Sequence, residues 1–186
     1  APLEVKCIFF FKEAVLMTPA AIREQFFSVL NDTEKNISAF VKNPGSDMSR
    51  HRACSFSDTV NATLCFGMNR TNTELLNFFG LTRKTVPSKS AFSQQRKKLD
   101  SCLFPHLLRS FNNAIPMTKT YNGFHLAAVD GSDLNLPTDK NDSVYRVKHS
   151  SGDNCYFQMH VNALYDICEN RYISAVTQPR PKMNEP

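Results

Sequence analysis

The feature that most constrains this chain is a change of hydrophobic period about two-thirds of the way along it. Up to roughly residue 116 apolar side chains recur at helical spacing, and from Tyr121 onward they alternate or run in short β-forming blocks. Residues 18–30, TPAAIREQFFSVL, put Ile22, Phe26, Phe27 and Leu30 on one stripe, with Thr18 as cap and Pro19 in the first turn. A shorter helical piece carrying Ile37, Phe40 and Val41 ends at Asn43-Pro44-Gly45, and polar residues 44–57 read as a loop. Helical spacing resumes at Val60, Leu64 and Met68 behind an Asp58 cap. It continues in TELLNFFG, capped by Asn72 or Thr73 and stopped by Gly80. Pro87-Ser88 opens a further helix through SAFSQQRKKL. Asp100 or Ser101 starts the last one, with Leu103, Phe104, Leu107, Leu108 and Phe111 on its apolar side.

The second part reads differently. FHLAAVD, CYFQMHVNALYD and YISAVTQP are strand-like, and the middle one alternates Tyr156, Gln158, His160 and Asn162 with Phe157, Met159, Val161 and Ala163. Asn170 is placed to turn the chain between the last two strands as a hairpin. The intervening PTDKNDSVYRVKHSSGDN is predicted to be an exposed loop. This divides the chain into a helical region, residues 1–120, and a strand-bearing region, residues 121–186.

Within FHLAAVDGSDLNLP, an apolar run meets Asp130 and then Gly131. A carboxylate where a buried strand leaves the core is costly to desolvate unless it finds a proton, a cation or a metal. A turn-forming Asp-Gly pair explains the same residues without any function.

Composition narrows the partners. With 41% hydrophobic and 21% charged residues, the 186-residue chain is globular rather than disordered. No run approaches the roughly 18 apolar residues of a membrane span, since CIFFF and AVLM are separated by Lys12 and Glu13. The six cysteines contain no CxxC, and Cys155, His160 and Cys168 lack a fourth ligand and a zinc-site spacing. They are expected to be reduced thiols packed in a cytosolic interior.

The net charge of +5 is local. Residues 82–99 contain Arg83, Lys84, Lys89, Arg96, Lys97 and Lys98 and no acid, while the rest of the chain holds 16 basic against 17 acidic residues. A helix carrying Lys89, Gln94, Gln95 and Arg96 presents groups that pair with phosphates and base edges, and the preceding TELLNFFG resembles the lead-in to a helix-turn-helix. A solvated face with a cationic last turn accounts for the same charges.

Taken together, LLNFFGLTRKTVPSKSAFSQQRKKL, YNGFHLAAVDGSDLNLP and HVNALYDICENRYISAVTQP resemble the DDE-type transposases of bacterial insertion sequences, in the group founded by insertion sequence four. The resemblance covers roughly residues 55–186. It implies an α plus α/β architecture: an all-helical DNA-binding region followed by the first strands of a ribonuclease H-like catalytic domain. By that resemblance Asp130 is the first metal-ligating and catalytic carboxylate, with Mg2+ or Mn2+ as cofactor. Arg83, Lys84, Lys89, Gln94, Gln95, Arg96, Lys97 and Lys98 then face double-stranded transposon-end DNA. The expected setting is a homodimer in the bacterial cytoplasm at the nucleoid, away from membranes.

The family's second aspartate and its glutamate lie beyond the last strand visible here, so the chain is expected to be an inactive N-terminal portion of a longer enzyme. Asp133 and Asp166 are the nearest substitutes. Asp133 is predicted to point away from Asp130, and Asp166 to lie at the end of the second strand, near Asp130. The competing expectation is a non-catalytic helix-turn-helix DNA-binding protein or regulator.

Overall fold

The computed structural model describes residues 17–49, 54–81, 85–138, 142–148 and 155–179. Among these, five α-helices precede a four-stranded antiparallel sheet, a mixed α+β arrangement. The helices are α1 (Pro19–Lys35), α2 (Phe56–Cys65), α3 (Thr71–Leu81), α4 (Lys89–Arg96) and α5 (Leu103–Ala114). The strands are β1 (Ala127–Asn135), β2 (Arg146–Lys148), β3 (Cys155–Asp166) and β4 (Arg171–Pro179).

Local chemistry sets the helix starts. Thr18 accepts a hydrogen bond from the Ala21 N–H with Pro19 in the first turn, and Ser88 accepts from Ala91 in the same way. At α2 the cap is Ser55, one turn earlier than the predicted Asp58. Ser55 Oγ accepts from the Asp58 N–H and the Asp58 carboxylate accepts from the Ser55 N–H, so both residues form a capping box. Two predicted helix features change. The α3 helix runs through Gly80 to Leu81, and α2 ends at Cys65, short of Met68; of the predicted run only Val60 is buried, while Leu64 and Met68 are exposed.

Two apolar clusters hold the helices. One joins Leu30, Phe56, Val60, Leu99, Leu103 and Leu107. The other joins Cys54, Ala62, Leu75, Phe79 and Phe92. Glu74 ties the connection between α2 and α3, its Oε1 accepting from the Gly67 and Asn69 N–H groups at 3.1 and 2.9 Å. The piece after α1 is a single 3-10 turn, Ile37–Ala39. Beyond it Val41 bridges to Leu99, with Lys42 N–H donating to Lys98 C=O at 2.9 Å. Of the described cysteines, all free, Cys54 is buried while Cys65 and Cys102 are exposed. The expectation of uniformly packed thiols therefore fails for those two.

In the sheet β3 is central. It pairs with β1 and with β4, both antiparallel, and its first three residues pair with β2. The predicted exposed loop between the first two long strands thus contains a strand, in which Arg146, Val147 and Lys148 pair antiparallel with Phe157, Tyr156 and Cys155 and so satisfy backbone groups of both segments. Asn170 has φ 56° and reverses the chain between β3 and β4, as its position in ENR predicts.

Candidate functional site

Two stretches carry the sequence-predicted chemistry, the basic segment around α4 and the acidic residues of β1. On α4, Phe92 and Gln95 lie inward and Leu99 follows below them. Lys89, Gln94, Arg96 and Lys97 are exposed and Lys98 is half-buried. Gln95 is the exception to the predicted DNA-facing set. It sits three residues from Phe92, hence on the same side of the helix, and is only 6% exposed. Arg83 and Lys84 lie outside the described residues.

Beside α4 is a cavity of about 470 Å³, lined by residues 45–49, Gln95 and Lys98. The α3 and α4 helices pack together through Leu75, Phe79 and Phe92, and residues 82–84 between them lie outside the described residues.

On β1 the Asp-Gly pair makes no turn. The strand continues through Asp130 and Gly131 to Asn135, so Asp130 stands mid-strand rather than at the strand's end. Asp130 is exposed opposite Ala163, and its Oδ1 accepts from the Gly131 N–H at 2.9 Å. The tight turn lies upstream at Asn122-Gly123, with φ 49° and 84°, where Tyr121 and Phe124 exchange both backbone hydrogen bonds. Positive φ at both central residues is the geometry that an Asn-Gly pair suits.

Gly131 is needed for a different reason. A Cβ there would stand 2.7 Å from His160 Nε2 and 3.1 Å from Asn162 Oδ1. His160 lies across this glycine because its Nδ1 is held 2.7 Å from Asp133 Oδ1 on the neighbouring strand, while Nε2 is 3.2 Å from Asn162 Oδ1. Gln158 adds a bond from Nε2 to Asn135 Oδ1 at 3.0 Å on the same face. Sequence alternation places His160 and Asn162 on one side of β3. The β1–β3 register, which no short-range pattern carries, brings them onto Asp133 and Gly131.

The three aspartates do not converge. Asp133 is three residues from Asp130 on an extended strand and projects from the other face, as predicted, where it is held by His160. Asp166 does not lie beside Asp130. It pairs with Ala127, three rungs from the Asp130–Ala163 pair, and so belongs to the face opposite Asp130. It is 1% exposed, and its Oδ1 accepts from the Cys168 and Glu169 N–H groups at 2.8 and 3.0 Å. A small divalent ion such as Mg2+ draws on one or two carboxylates together with substrate oxygens and water. Two-metal phosphodiester chemistry needs several carboxylates converging. Among the described residues no second carboxylate shares the Asp130 face of the sheet, and no group of three or more His, Cys, Asp or Glu side chains is placed to hold a metal. The described donor set therefore does not fit a two-metal centre.

No helix among the described residues is long and apolar enough to cross a membrane. Comparison with protein-family models, curated proteins and solved structures gave no match.

Proposed function

We propose that this chain is a DNA-binding portion of a transposase of the DDE type, a protein that cleaves and joins DNA strands in its complete form. The observation that carries this reading is Asp130, a carboxylate displayed in the open on the first strand of an antiparallel sheet in which β3 lies between β1 and β4. A helical region with one cationic helix precedes it. That order and topology agree with a helical DNA-binding region leading into a ribonuclease H-like sheet. The face of α4 bearing Lys89, Gln94, Arg96 and Lys97 supplies the DNA contact, with Lys98 at its margin. Further carboxylates for Mg2+ or Mn2+ would have to come from outside the described residues.

Binding to double-stranded DNA, titrated against salt, tests the contact. Each lost phosphate contact flattens the slope of log affinity against log salt by about 0.9. Changing Lys89, Arg96, Lys97 and Lys98 together to Ala is expected to lower the slope by several such steps, and an unchanged slope reduces α4 to a solvated face. Incubation of the chain with supercoiled plasmid and Mg2+ or Mn2+ is expected to give no nicking. Robust nicking abolished by Asp130→Asn would show that the chain already holds a working site.

A second reading, a non-catalytic DNA-binding regulator, is favoured by the isolation of Asp130. It predicts the same salt dependence, and DNA affinity indifferent to Asp130→Asn with or without Mg2+.

A further inference from the structure

The helical region meets the sheet through the β3–β4 turn and the start of β4. Asn112 Nδ2 of α5 donates to the Tyr172 and Ile173 carbonyls at 2.9 and 3.1 Å. Arg171 Nη1 donates to Ile115 C=O at 3.1 Å, where the chain leaves α5. Glu169 Oε1 then accepts from the N–H groups of both Thr118 and Lys119. Three side chains, one from the turn, one from the start of β4 and one from α5, therefore bind backbone groups on the other side of the joint. Backbone partners matter here because they fix the path of the connecting chain, not merely the position of a neighbouring side chain.

The turn is also braced before it makes these contacts. The buried Asp166 gathers the Cys168 and Glu169 N–H groups on one oxygen, which closes the turn locally. Asn170 adds the left-handed residue that reverses the strand. The Ile167 N–H donates to Leu126 C=O at 2.9 Å, closing the far end of the connection just before β1. Residues 115–126 are thus held at both ends and in the middle by the four-residue turn and the first residue of β4.

We propose that the β3–β4 turn is a latch that sets the orientation of the helical region on the sheet, with Glu169 as its positioning residue and Arg171 and Asn112 as its supports. Resting on the transposase reading, the latch would hold the DNA-facing side of α4 at a constant angle to the Asp130 face. The two parts would then present to DNA as one body, not as a tethered pair. A charged acceptor shared by two amides suits this task, since hydrogen bonds to a carboxylate are shorter and stronger than neutral ones.

Amide hydrogen exchange on the full chain tests the latch without requiring DNA. In Glu169→Ala, exchange at Thr118 and Lys119 is expected to rise about tenfold or more, while Val60 and Leu103 in the helical core keep their parent rates. Glu169→Gln keeps the volume and one neutral acceptor, and is expected to fall between parent and Ala. Unchanged exchange at Thr118 and Lys119 overturns the proposal. An equal rise at Val60 and Leu103 also overturns it, because Glu169 would then serve global stability. Failure of the parent to bind DNA would instead remove the transposase reading and leave the exchange result standing.

Discussion

The helical region and the sheet solve the problem of burial in opposite ways. Among the described residues Leu30, Val60, Phe79, Phe92 and Leu103 are almost wholly removed from solvent, and they come from five different helices or their flanks. The sheet's most buried residues are Phe157 and Asp166, while Val129, Leu134, Tyr172 and Val176 remain open on its strands. The helical region gains its cohesion from apolar contact. The sheet gains it from backbone ladders and from polar pairs such as Asp133–His160. A β-sheet with open faces has little hydrophobic driving force of its own, so its order should depend on the helical region or on further covering surface.

The largest expected effect lies in the helical core. Phe92→Ala should cost about 3–5 kcal/mol of stability, read as a lower midpoint in urea unfolding followed by helical circular dichroism. Val129→Thr on the open sheet should change it by no more than about 0.5 kcal/mol, and comparable losses for the two would erase the contrast. Next comes Gly131→Ala, whose new methyl must displace the His160 ring. A cost of about 1–3 kcal/mol is expected. Adding His160→Ala should recover most of the penalty attributable to the clash, measured by a double-mutant cycle in thermal unfolding. Ser55→Ala, which removes half of a capping box, should cost about 1 kcal/mol by the same measurement.

The smallest expected effect is a pH dependence at the joint. Burial acts to raise the Glu169 carboxyl, but the Lys119 and Thr118 N–H groups and the charges of Lys119 and Arg171 outweigh it and hold it below its ordinary value of 4.5. A depressed folded value means that this contribution is complete above the unfolded value and is lost as pH falls through the folded one. The melting midpoint of the parent should therefore exceed that of Glu169→Gln at neutral pH, and the gap should close in acid. A gap that widens in acid would place the stabilising form on the protonated carboxyl.

Amide exchange across the whole chain sharpens the comparison itself. Protection is expected to be high through α1–α5 and low after residue 124, because exchange follows local opening and the sheet has few buried apolar contacts.

Much of this architecture is legible without coordinates. The α1 helix with Phe26 and Leu30 on its packed side, the Thr18 and Ser88 caps, the period-two alternation of residues 156–163 and the Asn170 turn all depend on neighbours within a few positions, although Ile22 and Phe27 of the predicted stripe are exposed. Those are the interactions that a linear pattern records. The errors have the opposite character. Asp130-Gly131 has the composition of a turn, yet it is strand, because Gly131 answers to a histidine 29 positions away in the chain. Gln95 has the chemistry of a base reader, yet it faces inward, because Phe92 chooses the side on which α4 packs.

Sequence alone determined the switch from helical to strand periodicity, the placing of the whole positive excess on residues 82–99, and the isolation of Asp133 from Asp130 by strand alternation. Only the tertiary structure decided which side chains share a face across strands: Asp133 with His160, Gly131 with Asn162, Asp130 with Ala163. The physical reason is register. A slip of one residue between β1 and β3 would reverse every one of these pairings. What holds the register is a set of long-range contacts, above all the imidazole lying over a residue with no side chain.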